Sequence, residues 1–504
     1  MTKQFIFMTR TFMLLLILSI FINAPRAALA QHKSTFTVAQ NTGNDLAAIQ
    51  KAIDEATAKH GAAYIPAGDY ELNGDLWMAS NSVLRGDGDA TVLRFSKGKI
   101  RSLKNGSKNF WYTHNYNNEI VPNDVKTLLN APAASGATKF DVADASVFHV
   151  GDWIYSDNNI KDTWTILEDL QRSQMWNDPK TAFARQEIFQ ITGIEGNVLE
   201  LDRPLHFALD KGASIHKQVG ARDFEIASLK IINPEEAQPL LFEQPMNARF
   251  IHLTVQAKGG IILTHKPYGN LIENCHFITN GARGITVENF AAQNRIIHNQ
   301  IDYVTGGDCS LLVMLSSHDN TVAYNHIIHV GKNQKKRDEA GIYIHATSYN
   351  NIVFHNVIEG TLEAIGSYYS ASDNVFFDNQ GINVRAGIKS YYARNNSYIN
   401  NQFTIIPKGP VDANGALIYA SYGNLLQRND FSGNFVDGLR IQGSHDNDIL
   451  DNTISGPGGH VLSRGIHDIS TDKNTGDNFN GANPKSGLRR GNQISNVTQA
   501  QAAE

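Results

Sequence analysis

His345, Tyr368, Lys389, Tyr391 and Arg440 are the residues whose types and spacing best suit proton transfer. They lie in short alternating segments of the second half of the chain, which read AGIYIH, EAIGSY, AGIKSY and DGLRIQ. His, Lys and Tyr side chains exchange protons when their surroundings shift their pKa values, and an Arg guanidinium pairs with carboxylates. If these segments lie side by side, the sequence predicts a catalytic site made of the five residues.

The register between the segments follows from one apolar residue in each, which we take to point into a core. These equivalent core residues are Ile285, Ile342, Ile365, Ile388 and Leu439. Because side chains alternate across a strand, the next residue faces outward. The first outward column is then Thr286, Tyr343, Gly366, Lys389 and Arg440. The second outward column, two residues further on, is Glu288, His345, Tyr368, Tyr391 and Gln442. Strands of neighbouring coils lie about 4.8 Å apart, so these side chains would converge on one ligand, with Tyr343, Glu288 and the nearby Arg385 binding substrate.

Charged residues form a third column where the same segments begin. They are Arg283, Asp308, Glu339, Glu363, Arg385 and Asp437. Three acids on successive coils, Asp308, Glu339 and Glu363, would repel one another unless a cation compensates them or their pKa values are raised. We therefore expect them to bind a hard cation such as Ca²⁺, or to act as acid and base in glycoside hydrolysis. The alternative is that they are solvated turn carboxylates, and no other cofactor is indicated.

The elements that position these columns repeat along the chain with the unit Asn-x-x-x-x-Asn. The pairs are Asn294/Asn299, Asn320/Asn325, Asn351/Asn356, Asn374/Asn379, Asn396/Asn401, Asn424/Asn429 and Asn447/Asn452. Steps of 26, 31, 23, 22, 28 and 23 residues between the first asparagines indicate a coil of about 22 residues with loop insertions. Apolar residues alternate over four to six positions in each unit, which is typical of strands. An all-β parallel β-helix follows, in which the asparagines form structural ladders in turns and tolerate the left-handed conformation.

The amino-terminal residues 1–30 have the pattern of a signal peptide. Lys3 and Arg10 precede the apolar stretch 12–22, and Ala28-Leu29-Ala30 suits cleavage near Ala30, which predicts a secreted protein, periplasmic or extracellular. No later apolar run approaches the roughly 20 residues of a membrane span. Cleavage removes three basic residues and no acidic ones, so the formal net charge changes from −5 to −8. This balance argues against nucleic acid as a partner, because such proteins carry a basic surface.

The residues after the predicted signal peptide fall into four regions that differ in sequence pattern. Residues 31–100 contain an amphipathic segment after Asn44, predicted to be a helix that caps the solenoid, and then the first coils. Residues 101–222 interrupt the repeat and predict a small inserted β-domain, in which Trp164 and Trp176 would stack on sugar rings or pack the insert. Residues 223–470 form the coils with the site, and residues 471–504 a polar cap or tail. Cys275 and Cys309 are expected to be buried thiols.

The amphipathic segment, YIPAGDYEL and SNSVLRGDG follow one another in an order that resembles the start of secreted pectate-lyase-superfamily proteins. The resemblance covers most of the mature chain and implies a right-handed parallel β-helix whose partner is a polysaccharide. Lys389 and the tyrosines on neighbouring coils are similar to β-helix alginate and chondroitin lyases, which use Lys with Arg or Tyr. The Asp-Pro-His-Asp motif of β-helix mannuronan epimerases and the Asp-Asp pair of polygalacturonases are not found in this sequence.

Three functions are therefore compatible with the sequence, and we expect the first. In a polysaccharide lyase, Arg440, Arg385 or a Ca²⁺ ion would neutralise the carboxylate of a uronic acid. Lys389, Tyr391, Tyr368 and His345 would supply the base and acid for β-elimination. The second is a glycoside hydrolase or transferase that acts on a neutral glycan through Asp308, Glu339 and Glu363. The third is an exported carbohydrate-binding or surface protein without catalysis.

Overall fold

The computed structural model describes residues 35–38, 44–102, 125–157, 186–303, 309–330, 340–407, 412–456, 463–469 and 488–497, with the backbone of 499–503. The predicted signal peptide, much of the polar tail, Trp164, Trp176, Asp308 and Glu339 lie outside these residues. In the part of the chain that is described, no helix has the length and apolarity that a bilayer crossing demands.

The chain winds as a parallel β-solenoid in which each coil contributes three strands. One face is a parallel sheet, here named the site sheet, to which the described residues contribute thirteen strands. Its strands are Leu76–Trp77, Ile100–Arg101, Leu240–Glu243, Ile261–Thr264, Ile285–Glu288, Cys309–Met314, Ala340–His345, Glu363–Tyr368, Ala386–Tyr391, Asn414–Tyr419, Asp437–Gln442, Arg464–Ile469 and Gln499–Ala503. Because every strand pairs with the next coil, each coil is stabilised by its neighbours.

A second set of 24 strands supplies the other two faces. From Leu271 onward each coil contributes two strands to this set. The first strand of one coil pairs with the first strand of the next, and the second with the second, so that two separate parallel faces form. Its strands are Thr35–Thr37, Ala62–Tyr64, Gly68–Asn73, Val83–Lys97, Glu225–Asn233, Arg249–Ala257, Leu271–Glu273, His276–Thr279, Arg295–Ile297, Gln300–Tyr303, Thr321–Ala323, His326–His329, Ile352–Phe354, Val357–Glu359, Val375–Phe377, Gln380–Val384, Ser397–Ile399, Gln402–Ile405, Leu425–Gln427, Asp430–Gly433, Asp448–Leu450, Thr453–Ser455, Arg489–Arg490 and Gln493–Ser495.

A single hydrophobic core fills the solenoid from Val38 to Ile466. The inward residues Ile342, Ile365 and Ile388 are fully buried and pair in register on successive strands. Small residues precede them because the backbone of one coil passes close to the next. A Cβ atom at Gly415 would lie 2.2 Å from the carbonyl oxygen of Gly438. The Gly- or Ala-led segments of the sequence thus mark the corner where each site-sheet strand begins.

Two asparagine ladders hold the coils together, as predicted. In one ladder, Asn374 Nδ2 donates to Asn396 Oδ1 at 3.0 Å, and in the other Asn379 Nδ2 donates to Asn401 Oδ1 at 2.9 Å. The expected left-handed conformation of these asparagines is wrong. The residue before each asparagine adopts it instead, as Asp378 does with a φ of 53°. The ladder asparagines therefore contribute side-chain amides that form hydrogen bonds with both neighbouring coils.

Cys275 occupies the position of the second ladder one coil before Asn299. Its backbone N–H donates to Asn299 Oδ1 at 3.0 Å, and its thiol donates to the Phe250 carbonyl oxygen at 3.3 Å. Burial raises the pKa of this thiol to about 12. Cys275 and Cys309 are both buried thiols, as the sequence predicts.

One helix is present among the described residues, Asp45–Ala58, and it packs on the first coils. The Asn44 side chain accepts a hydrogen bond from Ala47 N at 3.1 Å, which satisfies a free amide of the first turn. Ile49 and Ile53 are buried in the solenoid core. Its role as a cap stays a prediction.

Within its described residues, the interruption of the repeat contains six antiparallel strands with a hydrophobic cluster of their own. They are Lys126–Leu128, Lys139–Asp141, Trp153–Asp157, Gln186–Glu195, Val198–Leu201 and Ser214–Lys217. The connection between the last two of these strands contacts turns of the solenoid, where Arg203 donates to Tyr268 Oη at 2.8 Å and the His206 ring stacks on Tyr349 at 4.8 Å. The boundaries of the predicted regions, including this insert, stay predictions.

Candidate functional site

The observed register of the site sheet agrees with both predicted outward columns. Gly366 pairs with Lys389, and Tyr368 pairs with Tyr391. The columns derived from the sequence did not include two strands of the site sheet, Cys309–Met314 and Asn414–Tyr419. These strands add members to both columns. The first column gains Leu312, Leu417 and, on a later strand, His467, and the second gains Met314 and Tyr419.

The predicted charged column is wrong in its register. Glu363 pairs with Ala340 and Ala386, so Arg385 lies one residue before that column. Asp437 does belong to it, three strands after Glu363, with Ala386 and Asn414 between them. The small residue at the strand corner sets the register, and the charges of the side chains before it do not.

Glu363 is the centre of a buried polar cluster, although its side chain is only 1% exposed. Its Oε1 accepts hydrogen bonds from Lys389 Nζ at 2.8 Å and from Arg385 Nη2 at 3.0 Å. Its Oε2 accepts hydrogen bonds from the hydroxyls of Tyr343 and Tyr368. Two cations and two hydroxyls thus converge on a single carboxylate, here named the Glu363 centre.

These contacts decide the charge state of the cluster. Burial alone would raise the pKa of Glu363, but the Lys389 ammonium and the hydrogen bonds from Lys389, Tyr343 and Tyr368 outweigh it, so the pKa lies below its ordinary value. Burial and the negative charge of Glu363 raise the pKa of Tyr368 well above its ordinary value. The raised pKa favours the protonated form of Tyr368, and its predicted role as a base or acid stays a prediction.

Side chains predicted to face solvent are partly covered. Tyr343 and Tyr368 are buried against each other, with ring centroids 4.4 Å apart, and belong to a small hydrophobic cluster on the site sheet. The Lys389 side chain is 14% exposed and lies over the rings of Tyr368 and Tyr391, 5.2 and 5.6 Å from their centroids. His345 stacks on Tyr368 at 5.9 Å. Lys389, Tyr391 and His345 are therefore the partly exposed groups of this centre.

Aromatic rings continue beside the Glu363 centre. Tyr391 and Tyr419 stack at 4.9 Å with an angle of 15° between their planes. Tyr369 and Tyr392 are nearly parallel at 6.3 Å. The columns derived from the sequence did not include Tyr369, Tyr392 and Tyr419. Tyr369 and Tyr392 could have been found from the paired tyrosines of the SYYS and SYYA segments. We name Tyr369, Tyr391, Tyr392 and Tyr419 the tyrosine platform. Such aromatic rings suit contact with the apolar faces of sugars.

A second cluster surrounds Asp437, which is fully buried. Arg464 donates to both carboxylate oxygens, at 2.5 Å from Nε and 3.2 Å from Nη2. His467 Nδ1 lies 3.3 Å from Oδ2, and Arg440 Nη1 lies 3.8 Å from the same oxygen. Arg440 was predicted to act with Lys389, but the structure places it in this Asp437 centre. Arg464 and His467 were missed because a long connection separates their strand from the preceding one.

Glu288 lies in the second outward column at a distance from both centres. Met314 separates it from His345 in that column. Burial raises its pKa, which Arg283 and a hydrogen bond from Thr264 Oγ1 at 3.3 Å partly offset. Glu288 is thus not in contact with the predicted catalytic residues.

The surroundings of Glu363 do not fit a metal ligand. Both of its oxygens already accept hydrogen bonds, and two of the donors are cations, whereas Ca²⁺ needs several free oxygen ligands. Among the described residues no group of three or more His, Cys, Asp or Glu side chains could hold an ion. The other two predicted ligands, Asp308 and Glu339, lie outside these residues.

Three family models match parts of the chain. Residues 240–403 match the right handed beta helix region, and residues 38–130 match the pectate-lyase-like family of rhamnogalacturonase A and epimerases. Residues 329–483 match NosD, a family described as a periplasmic copper-binding protein. No curated protein sequence matches the chain significantly.

Solved structures with the same architecture are distant in sequence. The tailspike protein gp49 from Pseudomonas phage LKA1 has a TM-score of 0.52 and 12% identity, over 91% of this chain and 77% of that chain. The A-module of the mannuronan C-5 epimerase AlgE6 from Azotobacter vinelandii has a TM-score of 0.53 and 12% identity, over 90% of this chain and 95% of that chain. At this identity the similarity shows the fold alone. The chain is thus a parallel β-solenoid in which residues 240–403 match the right handed beta helix region and residues 38–130 match a pectate-lyase-like family.

Proposed function

We propose that this protein is an exported carbohydrate-active enzyme, a polysaccharide lyase that cleaves a uronic-acid-containing glycan of the alginate or pectate type. The observation that carries the proposal is the position of the Lys389 ammonium. Its nitrogen lies 2.8 Å from the buried Glu363 carboxylate, at the edge of the tyrosine platform. A fixed cation beside stacked rings suits a sugar that carries a carboxylate. The β-helix and pectate-lyase-like matches support a glycan as substrate.

In the proposed reaction, Lys389 binds the uronate carboxylate and stabilises the charge that develops on it. A base removes the C5 proton, the electron pair forms the C4–C5 double bond, and the C4–O4 bond breaks. An acid then protonates the leaving O4. We assign the base to His345 and the acid to Tyr391, because both lie beside the Glu363 centre and are partly exposed.

The hydrolase alternative receives less support from the same geometry. Glu363 is saturated with hydrogen-bond donors and has a lowered pKa, so it is a poor general acid. The nearest acid in its column is Asp437, three strands or about 14 Å away, whereas paired glycosidase carboxylates lie about 5–10 Å apart.

Carbohydrate binding without catalysis is the second candidate function. The tyrosine platform would bind sugar rings whether or not a proton is transferred, and tailspike proteins share the fold. Under this alternative, the ion pairs of the Glu363 centre would only stabilise the site sheet.

Export is part of the proposal. The features of residues 1–30 support a signal peptide, and the match to a family described as periplasmic supports the same route.

The deciding experiment is incubation of the mature protein with alginate, pectate, glycosaminoglycans and neutral glycans, with and without a chelator. Ultraviolet absorbance of the unsaturated product and new reducing ends are followed together. A lyase gives both signals, and Lys389→Met loses them. The matched control is Lys230→Met, a partly buried lysine on another face of the solenoid. New reducing ends without unsaturated product would establish hydrolysis, and glycan binding without either signal would establish the binding protein.

A further inference from the structure

The Asp437 centre repeats the construction of the Glu363 centre on a later part of the same sheet. In both, a buried acid at the start of a strand contacts a basic residue of the first outward column on the following strand. Glu363 contacts Lys389 in this way, and Asp437 contacts His467. Nothing in the proposed reaction uses the second construction.

The Asp437 centre contains two guanidinium groups and two carboxylates, of which only one carboxylate is buried. The guanidinium groups of Arg464 and Arg440 face one buried carboxylate. The other acid in contact is Asp412, 3.9 Å from Arg440, whose side chain is 60% exposed and thus largely solvated. The Arg440 side chain is 27% exposed, so an anion from solvent can reach it.

The imidazole of His467 has an unused polar atom at this centre. Its side chain is 5% exposed, and its Nδ1 lies toward Asp437 Oδ2. Its Nε2, on the opposite side of the ring, is buried and has no hydrogen-bond partner among the described residues. Buried polar atoms nearly always have a partner, so this nitrogen is a candidate contact for a ligand.

We infer that the Asp437 centre is a second sugar subsite, in which Arg440 binds the carboxylate of a uronic acid and His467 Nε2 bonds to a hydroxyl of the same sugar. The inference rests on the proposed function, because it assigns the second subsite to the same anionic glycan. Lys389 and Arg440 belong to one column, with Leu417 between them, so they lie two strands or about 10 Å apart. The glycan then runs along the solenoid axis and presents charged groups to both centres.

The test uses the mature protein with isotope-labelled histidine, and NMR spectra follow the ring signals during titration with D-glucuronate or D-glucose. Loss of one signal in His467→Gln identifies that residue. We expect glucuronate to shift the His467 signal to saturation and glucose to leave it unchanged. Arg440→Met should weaken the glucuronate response about tenfold, as expected for loss of one charge-assisted hydrogen bond.

The matched control is His298→Gln, an exposed histidine that stacks on Tyr324 elsewhere on the solenoid, and it should leave the response unchanged. A His467 signal that ignores glucuronate, or that responds equally to glucose, would overturn the inference. Lys389→Met separates the two proposals, because it should abolish lyase activity and keep the His467 response. If the wild-type protein has no lyase activity but His467 responds to glucuronate, the subsite is supported and the proposed reaction falls.

Discussion

Lys389 Nζ lies 2.8 Å from Glu363 Oε1, and the Glu363 side chain is almost completely buried. Arg385 contacts the same oxygen from the preceding turn. A buried carboxylate with two cations is stable only while all partners are present, since removal of one leaves the others unpaired in a medium that solvates them poorly.

Glu363→Gln should therefore destabilise the protein strongly. The amide cannot neutralise Lys389 and Arg385, and breaking a buried ion pair costs about 3–5 kcal/mol of unfolding free energy. Denaturant unfolding measures the change. Glu195→Gln, at the exposed end of a strand, should change the unfolding free energy by no more than about 0.5 kcal/mol. Similar small changes in both variants would show that the Glu363 ion pairs contribute little.

The lowered pKa of Glu363 also predicts how stability depends on pH. The folded state holds this carboxylate ionised below its ordinary pKa of 4.5, so its contribution is complete above that value. Stability is then lost as the pH falls from 4.5 through the lower pKa of the folded state. Thermal unfolding across this range should show a shallower acid dependence in Glu363→Gln than in the wild type. The same slope in both proteins would contradict the prediction.

Tyr391→Phe should lower the lyase rate by at least about 100-fold, because it removes the hydroxyl assigned to protonate the leaving oxygen. The ring and its stacking on Tyr419 remain, so binding of the glycan should change little. Tyr419→Phe is the matched control, since it removes a neighbouring hydroxyl from the same stacked pair. Steady-state kinetics on the substrate found in the glycan screen compare the two. An equal loss of rate in both variants would remove Tyr391 from the reaction.

Asn379→Ala should weaken the second asparagine ladder. Asn379 Oδ1 accepts hydrogen bonds from the backbone and side chain of Asn356, and its own amide donates to Asn401 and to the Val353 carbonyl oxygen. With about 1–3 kcal/mol for each buried group left unpaired, we expect a loss of roughly 2–5 kcal/mol in unfolding free energy. The control, Asn434→Ala, replaces an exposed asparagine. An equal effect at both positions would show that the ladder is not stabilising.

The repeat made much of the fold predictable. Asn374, Asn379 and the buried Ile365 and Ile388 recur at coil spacing, so the ladders, the core positions and the column that contains Lys389 followed from the sequence. The strand Asn414–Tyr419 was skipped because a loop lengthens its coil to 28 residues.

The centres themselves were less predictable. A column of outward positions does not reveal where a side chain turns, and Tyr343 and Tyr368 turn toward Glu363 and become buried with it. Arg440 has the residue type expected beside Lys389 but pairs with Asp437 instead. These outcomes depend on contacts between strands from three or more coils, which spacing along one segment does not contain.

Because of the asparagine ladders, the distance between neighbouring coils does not depend on the number of residues in a coil. Coils of 22 and 31 residues occupy one ladder step each, so extra residues leave the core as loops. After deletion of the whole coil 396–423, Asn374 could form the same ladder hydrogen bonds with Asn424. The deletion would also reduce the distance between Lys389 and Arg440 from about 10 Å to about 5 Å. Gain or loss of entire coils can thus change which spacing of charges along a polymer this surface recognises, without any substitution in the groups that bind it.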